Sequence, residues 1–347
     1  MHIVFIAGTL GAGGAEKQIY YLSQGLRKQG DMVTVISLAG RGVYGDLLEA
    51  EGVHVHCIEN IKGRIARLIQ IIRIVRKTRP DVIYSFHFYC NTYAALAGMW
   101  LRIGSVGSVR SDGFEEKRKN GWFSWLHYSL PGKLVANSEH AINNLKSIFY
   151  NRKVFCLENS IDLSSFDFNP RVTANDKLIL LFIGRLDENK NPDLFLEAVK
   201  QCRDAAIPVQ GILVGSGKLL NDCNRRISDE QLPVEMHPFL PDLRPMLYSA
   251  HWLISASGSE GTPNVILEAW ACGTRTAWIH TNNENSWAAQ WVADGLLHQY
   301  NSPEDFVRER LMERNDDLLQ VKKNRAYVET NHSESHAIEK LKYILSQ

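Results

Sequence analysis

One pattern narrows the fold of this chain more than any other, and it occurs twice. Residues 3–7 (Ile-Val-Phe-Ile-Ala) form a short apolar run that breaks into Gly8-Thr9-Leu10-Gly11-Ala12-Gly13-Gly14. Residues 15–29 then place Ile19, Leu22 and Leu26 at a helical period, and Gly30 closes the segment. A second apolar run follows at 33–38. Strand, glycine turn, helix and strand in that order form a βαβ unit, which implies a parallel sheet. Strands at 53–58, 82–86, 105–109 and 133–136 continue the alternation. A polar stretch at 163–177, carrying Pro170, reads as a linker, and beyond it the pattern restarts. Strands are expected at 178–183, 209–214, 234–237 and 252–255, with helices at 192–205, around 219–228 and from Pro263. The chain therefore reads as α/β, with two parallel-sheet domains facing a cleft. The expected boundaries are 1–162, a linker at 163–177, a second domain at 178–332, and a C-terminal helix at 333–347. That helix carries Ala337, Leu341 and Ile344 at helical spacing and is expected to pack back on the first domain.

Composition removes several function classes. At 347 residues the chain suits two domains of about 150 each. Lys and Arg number 39 against 38 acids, a net charge of +1, so nucleic acid is not an expected partner and any anion site is local. The six cysteines are scattered without a C-x-x-C pair and read as reduced thiols of a cytoplasmic protein. Met1-His2 leads straight into an apolar strand with no basic n-region, so no secretory signal is expected. Residues 82–101 carry no charge and are long enough to span a bilayer, yet they contain Ser85, His87, Asn91, Thr92 and Gly98. A buried strand running into a helix is the better reading.

Three familiar ligand motifs fail on inspection. Glu16 occupies the last position of a would-be G-x-G-x-x-G. Gly215-Ser216-Gly217-Lys218 looks like half a P-loop, but Ile212 and Leu219 stand where a glycine and a hydroxyl residue are needed. No D-x-D occurs, and no His or Cys cluster has metal-ligand spacing. The expectation is chemistry without a metal and without a cofactor.

Two segments remain. In Ser259-Glu260-Gly261-Thr262-Pro263-Asn264, Thr262 and Pro263 read as an N-cap and first-turn pair, with the helix ending at Gly273. A helix start beside Gly261 offers amide donors to an anionic or hydroxyl-rich ligand. Glu260 ahead of the helix and Glu268 along it would hold hydroxyls at two points. Alternatively, Glu260 caps the helix and Glu268 lies at the surface. In Gly184-Arg185-Leu186-Asp187-Glu188-Asn189-Lys190, Arg185 and Lys190 follow a strand end and precede a helix. Such a pair can neutralise a diphosphate as fork and point charge; the other reading is a solvated turn pairing them with Asp187 and Glu188.

Taken together, these segments resemble the retaining GT-B glycosyltransferases of family 4. Glu260 and Glu268 have its E-x7-E spacing, Gly184-Arg185-Leu186 with Lys190 matches its strand turn, and Gly13-Gly14-Ala15-Glu16 matches its N-terminal glycine loop. Val135-Ala136-Asn137-Ser138, Asn159-Ser160-Ile161-Asp162 and the segment from Asp242 to Tyr248 match in order as well. The resemblance implies two Rossmann-like domains in GT-B arrangement and transfer of a hexosyl or N-acetylhexosaminyl group from a nucleotide-diphosphate sugar, with UDP favoured. It implies that Arg185 and Lys190 grip the diphosphate and that Glu268 holds the ribose. Glu260, with amides of Gly261, Thr262, Pro263 and Asn264, would hold the donor sugar. Gly13 and Gly14 would admit the phosphate and reacting carbon, Gly184 belongs to the donor turn, and His87, after its strand, would lie near the sugar. Pro263 has no amide hydrogen, so its share of that cradle is backbone shape alone. Two departures stand out. Asn159-Ser160 replaces Asn-Gly, and the segment after Gly273 reads Trp278-Ile279-His280-Thr281-Asn282-Asn283-Glu284-Asn285, without the family's glycines, which leaves the donor sugar open.

On the acceptor side, a glycan or lipid-linked acceptor in cell-surface polysaccharide or glycolipid assembly is implied. Residues 61–77 place Ile61, Ile65, Leu68, Ile72 and Val75 among six cations, an amphipathic helix that either covers a sheet or lies on anionic lipid. The segment from Lys117 to Tyr128 follows Lys117-Arg118-Lys119 with Trp122, Phe123, Trp125, Leu126 and Tyr128. It either contacts the cytoplasmic face of the membrane peripherally or packs inward. A sugar-nucleotide 2-epimerase of similar two-domain fold and a non-catalytic sugar-nucleotide-binding protein are the competing functions.

Overall fold

The computed structural model describes residues 1–114, 121, 124–148, 152–170, 177–280, 287–311 and 318–347. The chain divides into two compact units, one of residues 1–161 with 332–347, the other of residues 162–331.

The first unit is built on a seven-stranded sheet of β1 (His2–Ala7), β2 (Met32–Ser37), β3 (His54–Cys57), β4 (Val82–Ser85), β5 (Gly104–Val109), β6 (Lys133–Ala136) and β7 (Val154–Cys156). The order is β3-β2-β1-β4-β5-β6-β7, parallel throughout, with Ile3 opposite both Val33 and Val82. Ile3 to Ala7 are completely buried, the signature of a central strand covered on both faces. The Arg64–Thr78 helix and the Asn91–Leu101 helix share one core with Val4, Ile6, Ile36 and Ile83. The expected apolar positions at 61–77 hold in part, since Val75 is buried and Ile61 and Ile72 pack against the core of the first of these helices. The buried residues of that helix are Ile71, Ile74 and Val75, while Ile65 is 76% exposed. Two helical stripes overlap in this apolar sequence, and the sheet selects the one set by the last turns. The uncharged run at 82–101 resolves into β4, a 3-10 turn at Phe88–Cys90 and the Asn91–Leu101 helix. Among the described residues, no helix is long and apolar enough to cross a membrane.

The second unit has six parallel strands, β8 (Leu178–Ile183), β9 (Val209–Val214), β10 (Val234–His237), β11 (Trp252–Ser255), β12 (Arg275–Ile279) and β13 (His298–Tyr300), in the order β10-β9-β8-β11-β12-β13. Trp278 and Ile279, expected in a loop, belong to β12, where both are fully buried. Residues 163–170 of the expected linker dock on this unit. Asn169 N–H donates to the Cys272 carbonyl at 3.0 Å, and Arg325 Nη1 donates to the Phe166 carbonyl at 3.0 Å. Residues 171–176 lie outside the described residues.

The chain returns to the first unit at His332. Ile161 N–H donates to the His332 carbonyl at 2.8 Å, and Glu334 N–H donates back to the Ile161 carbonyl at 3.1 Å. The Glu334–Ser346 helix, N-capped by Ser333, then buries Ala337, Ile338, Leu341 and Ile344. Lys340 pairs with Glu158 at 2.6 Å and Lys342 with Asp31 at 2.7 Å. Because Leu341 is fully buried and Tyr343 is 61% exposed, Leu341→Ala is expected to cost about 2–5 kcal/mol and Tyr343→Ala within about 0.5 kcal/mol. Urea denaturation checks both; equal effects would mean that this helix is not part of the first unit's core.

Candidate active site

Open parallel sheets bind ligands outside the carboxyl ends of their strands, where the strand order reverses. In the second unit that point lies between β8 and β11, and the two segments singled out in the sequence leave these strands. The turn after β8 is shaped by Asp187. Its carboxylate accepts from Lys190 N–H at 3.0 Å, and its carbonyl accepts from Asn191 N–H at 3.0 Å. Asn191, at φ 45°, then caps the Pro192–Asp204 helix, with Pro192 in its first turn. The failed half P-loop braces the same turn. Leu186 N–H donates to the Ser216 carbonyl at 2.9 Å, and Gly215, at φ 152°, lies where a Cβ would meet the Gly184 carbonyl.

The loop after β11 is tied to that turn by Asn189. Gly258 N–H donates to the Asn189 carbonyl, and Asn189 Nδ2 donates to the Ser259 carbonyl, both at 2.9 Å. The indole N–H groups of Trp278 and Trp287 both donate to the Ser257 carbonyl, at 3.1 and 3.2 Å. The helix begins one residue later than expected, at Asn264. Pro263 is its N-cap, and no side chain caps it. Thr262 is instead buried beside Gly261 and Pro263, and Gly273 ends the helix in the left-handed region at φ 86°.

These ties bring two of the predicted residues together. Lys190 Nζ forms an ion pair with Glu260 Oε1, and the two side chains are 19% and 16% exposed. Glu260 therefore does not cap the helix. Gly184 borders the Lys190 stem, which lies 3.5 Å from the position of a Cβ there. Glu268, far from lying at the surface, is 1% exposed in the second turn of its helix. Asn264 is half-buried. Arg185 does not join the pair. Its side chain is 70% exposed and sits 3.4 Å from Asp187, while Glu188 pairs with Lys218. For Arg185, then, the solvated-turn reading describes the structure. Among the described residues, no three His, Cys, Asp or Glu gather as a metal site.

The first unit carries a cluster of its own at the ends of β1 and β4. Gly8 N–H donates to His87 Nδ1 at 3.0 Å, and His87 Nε2 lies 3.3 Å from Glu16 Oε1. Gly13 is the N-cap of the Gly14–Lys28 helix, and the Glu16 carboxylate fills the space that a Cβ on Gly13 would take. The glycine at 13 is thus demanded by the protein's own acid. Tyr89 occupies the corresponding space beside Gly8. Burial, then the neighbouring Cys90 and Glu16, push its hydroxyl up to about 12, so it acts as a donor. Glu16, Tyr89 and Asn189 were given no site role from the sequence. Glu16 was findable, because it stands three residues after the cap, the spacing of a capping box. Of the segment from Lys117 to Tyr128, Trp125 is 54% exposed, but Tyr128 packs inward and donates to the Gly113 carbonyl at 2.9 Å. Lys117, Arg118, Lys119, Trp122 and Phe123 lie outside the described residues, as do Thr281 to Asn285.

Residues 177–311 match a family model described as glycosyl transferases group 1, and residues 12–165 match one described as glycosyltransferase family 4. An α-1,4-N-acetyl-D-galactosaminyltransferase of Campylobacter jejuni, whose name places its acceptor glycan on PP-undecaprenol, is 24% identical over 78% of this chain and 76% of the relative. LpsE of Rhizobium meliloti, a lipopolysaccharide core biosynthesis glycosyltransferase, is 24% identical over 85% of this chain and 84% of the relative. Among solved structures, Anabaena HepE in complex with UDP and glucose superposes with a TM-score of 0.84 over 99% of both chains, at 17% identity. Staphylococcus aureus TarM superposes with a TM-score of 0.75 at 12% identity, over 100% of this chain and 99% of that one.

Because Gly8 N–H donates to Nδ1, the neutral His87 ring is expected to carry its proton on Nε2, toward Glu16. Ring nitrogen shifts of the ¹⁵N-labelled protein check this; a protonated Nδ1 would contradict the arrangement.

Proposed function

We propose that this chain, which belongs to the group 1 glycosyltransferases of family 4, transfers a hexosyl or N-acetylhexosaminyl group from a UDP-sugar to a glycan or lipid-linked acceptor, with retention and without a metal ion. It is a glycosyltransferase, and its two parallel-sheet α/β units have the GT-B fold. The observation that carries the finer reading is the Lys190–Glu260 pair. A cation and an acid from adjacent strand ends hold each other in a partly desolvated place, where each is also suited to a different part of an activated sugar.

In this reading the donor diphosphate takes Lys190 from Glu260. A diphosphate carries more negative charge than one carboxylate and offers several oxygens to the ammonium group. Lys190 then stabilises the charge that grows on the leaving phosphate, and Glu260, released, accepts hydroxyls of the sugar. Arg185, exposed and only loosely held by Asp187, is free to fork onto the diphosphate. Glu268 serves the ribose, and the amides of Gly261, Thr262 and Asn264 the donor sugar. Transfer breaks the bond from the anomeric carbon to the diphosphate oxygen as the acceptor oxygen bonds on the same face. The acceptor's proton passes to the departing phosphate oxygen, so the products are the glycoside and UDP. The protein's contribution is position and charge rather than a covalent intermediate.

UDP is favoured because HepE has been solved with UDP and with UDP-glucose. A lipid-linked acceptor is favoured by the names of the Campylobacter and Rhizobium relatives. A peripheral contact with the cytoplasmic membrane through Lys117–Tyr128 is part of the reading and is supported by the exposed Trp125.

Lys190→Ala is expected to lower kcat by about 10²–10³-fold with the fold intact, since it removes a charge that acts in the transition state. The wild-type enzyme should keep its rate in EDTA, and NMR of the product should show the donor's anomeric configuration. A Lys190→Ala enzyme within a few-fold of wild type, or an inverted product, would overturn the reading. On the membrane side, the protein should sediment with anionic vesicles at low salt and be released as salt rises; equal sedimentation with neutral vesicles would refute an electrostatic contact.

A further inference from the structure

The end of β12 carries a side chain that the donor reading leaves without a task. His280 directly follows Ile279, and only its backbone is used by the sheet. Its N–H donates to the Tyr300 carbonyl at 2.9 Å, and its carbonyl accepts from Gln299 Nε2 at 3.1 Å. Its ring stacks on Trp278, with centroids 5.0 Å apart and planes 17° from parallel. Trp278 is completely buried and anchored by its own bond to the Ser257 carbonyl, so the imidazole rests on a fixed platform. No hydrogen bond to its ring nitrogens is present among the described residues.

The surroundings of this ring connect it to the donor segments. Gly258 is exposed, and a Cβ placed on it would lie 3.8 Å from His280 Cε1 and 3.9 Å from Asn189 Oδ1. His280 and Asn189 therefore flank one exposed glycine, two residues before Glu260 and one residue from Lys190 in the chain. Three neighbouring strand ends, β8, β11 and β12, contribute Asn189 with Lys190, Gly258 with Glu260, and His280.

Resting on the proposed donor site, we infer that His280 is a specificity residue for the sugar of the donor, binding a pyranose hydroxyl over Gly258. The chemistry fits. Burial holds the ring below the ordinary imidazole value, so at neutral pH it is uncharged, with one nitrogen donating and the other accepting. A hydroxyl likewise donates and accepts. The stack on Trp278 fixes the ring plane, so the hydrogen bond is directional and separates hydroxyl configurations rather than merely attracting polar groups. His280 belongs to the segment that departs from the family pattern, and in this reading it is a means by which the chain selects its donor.

Equilibrium titration of the full chain with UDP, UDP-glucose, UDP-N-acetylglucosamine and UDP-N-acetylgalactosamine tests the inference. The wild type should bind one UDP-sugar more tightly than UDP itself. His280→Ala should keep the UDP affinity within about twofold while weakening that UDP-sugar about tenfold, as expected for loss of one hydrogen bond to a buried hydroxyl. His280→Gln, which keeps a donor and an acceptor, should recover part of the loss. Equal weakening of UDP and UDP-sugar, or no change in either, would overturn the role of His280. A wild-type protein that binds no nucleotide would sink the donor reading itself, and this inference with it.

Discussion

The ion pair between Lys190 and Glu260 is the contact on which the site's organisation depends. Both side chains are more than four-fifths shielded, so each charge is costly to keep without the other. Such a pair persists only where the backbone holds its partners in register. Here Asn189 supplies two bonds between the turn after β8 and the loop after β11, Asp187 folds that turn, and two tryptophans fix the Ser257 carbonyl. The pair leaves both charges satisfied, and in the proposed reading a donor exchanges it. A ligand carrying both an anion and hydroxyl groups can satisfy the two halves separately.

A comparable economy operates in the first unit. Glu16 is 5% exposed, lies over Gly13 and faces His87, whose other ring nitrogen accepts from Gly8. His87 is thus held from both sides, Nδ1 by a backbone donor and Nε2 by an acid. Each unit therefore places an acid opposite a basic side chain at the carboxyl edge of its sheet. Gly13 and Gly258 differ in their surroundings, since the space beside the first is filled by the Glu16 carboxylate while the second is exposed.

The architecture was legible in the sequence because parallel strands buried on both faces leave unbroken apolar runs, and the longer helices between them, such as Gly14–Lys28 and Pro192–Asp204, leave a clear period. The strands β7 and β13 have three residues each and leave no such trace. Strand β12 was lost because Trp278 was read with the polar residues that follow it. In the site, the positions of Lys190 and Glu260 were legible through motif spacing, but their pairing was not, since it depends on Asn189 bridging two segments seventy residues apart. Arg185 shows the reverse. The motif marks it strongly, yet its side chain stands largely in solvent, with Asp187 as its ion-pair partner among the described residues. His280 was read only as part of a segment that departs from the family pattern, because neither its stack on Trp278 nor the exposed glycine beside it is visible in the sequence.

The measurement that bears most directly on this account is a crystal structure of the protein with a bound UDP-sugar. The account predicts Lys190 Nζ within about 3 Å of a diphosphate oxygen and Glu260 turned to the sugar hydroxyls, the pair having exchanged its partners. A structure with the nucleotide bound while Lys190 and Glu260 remain joined, and the phosphates held by other groups, would contradict it.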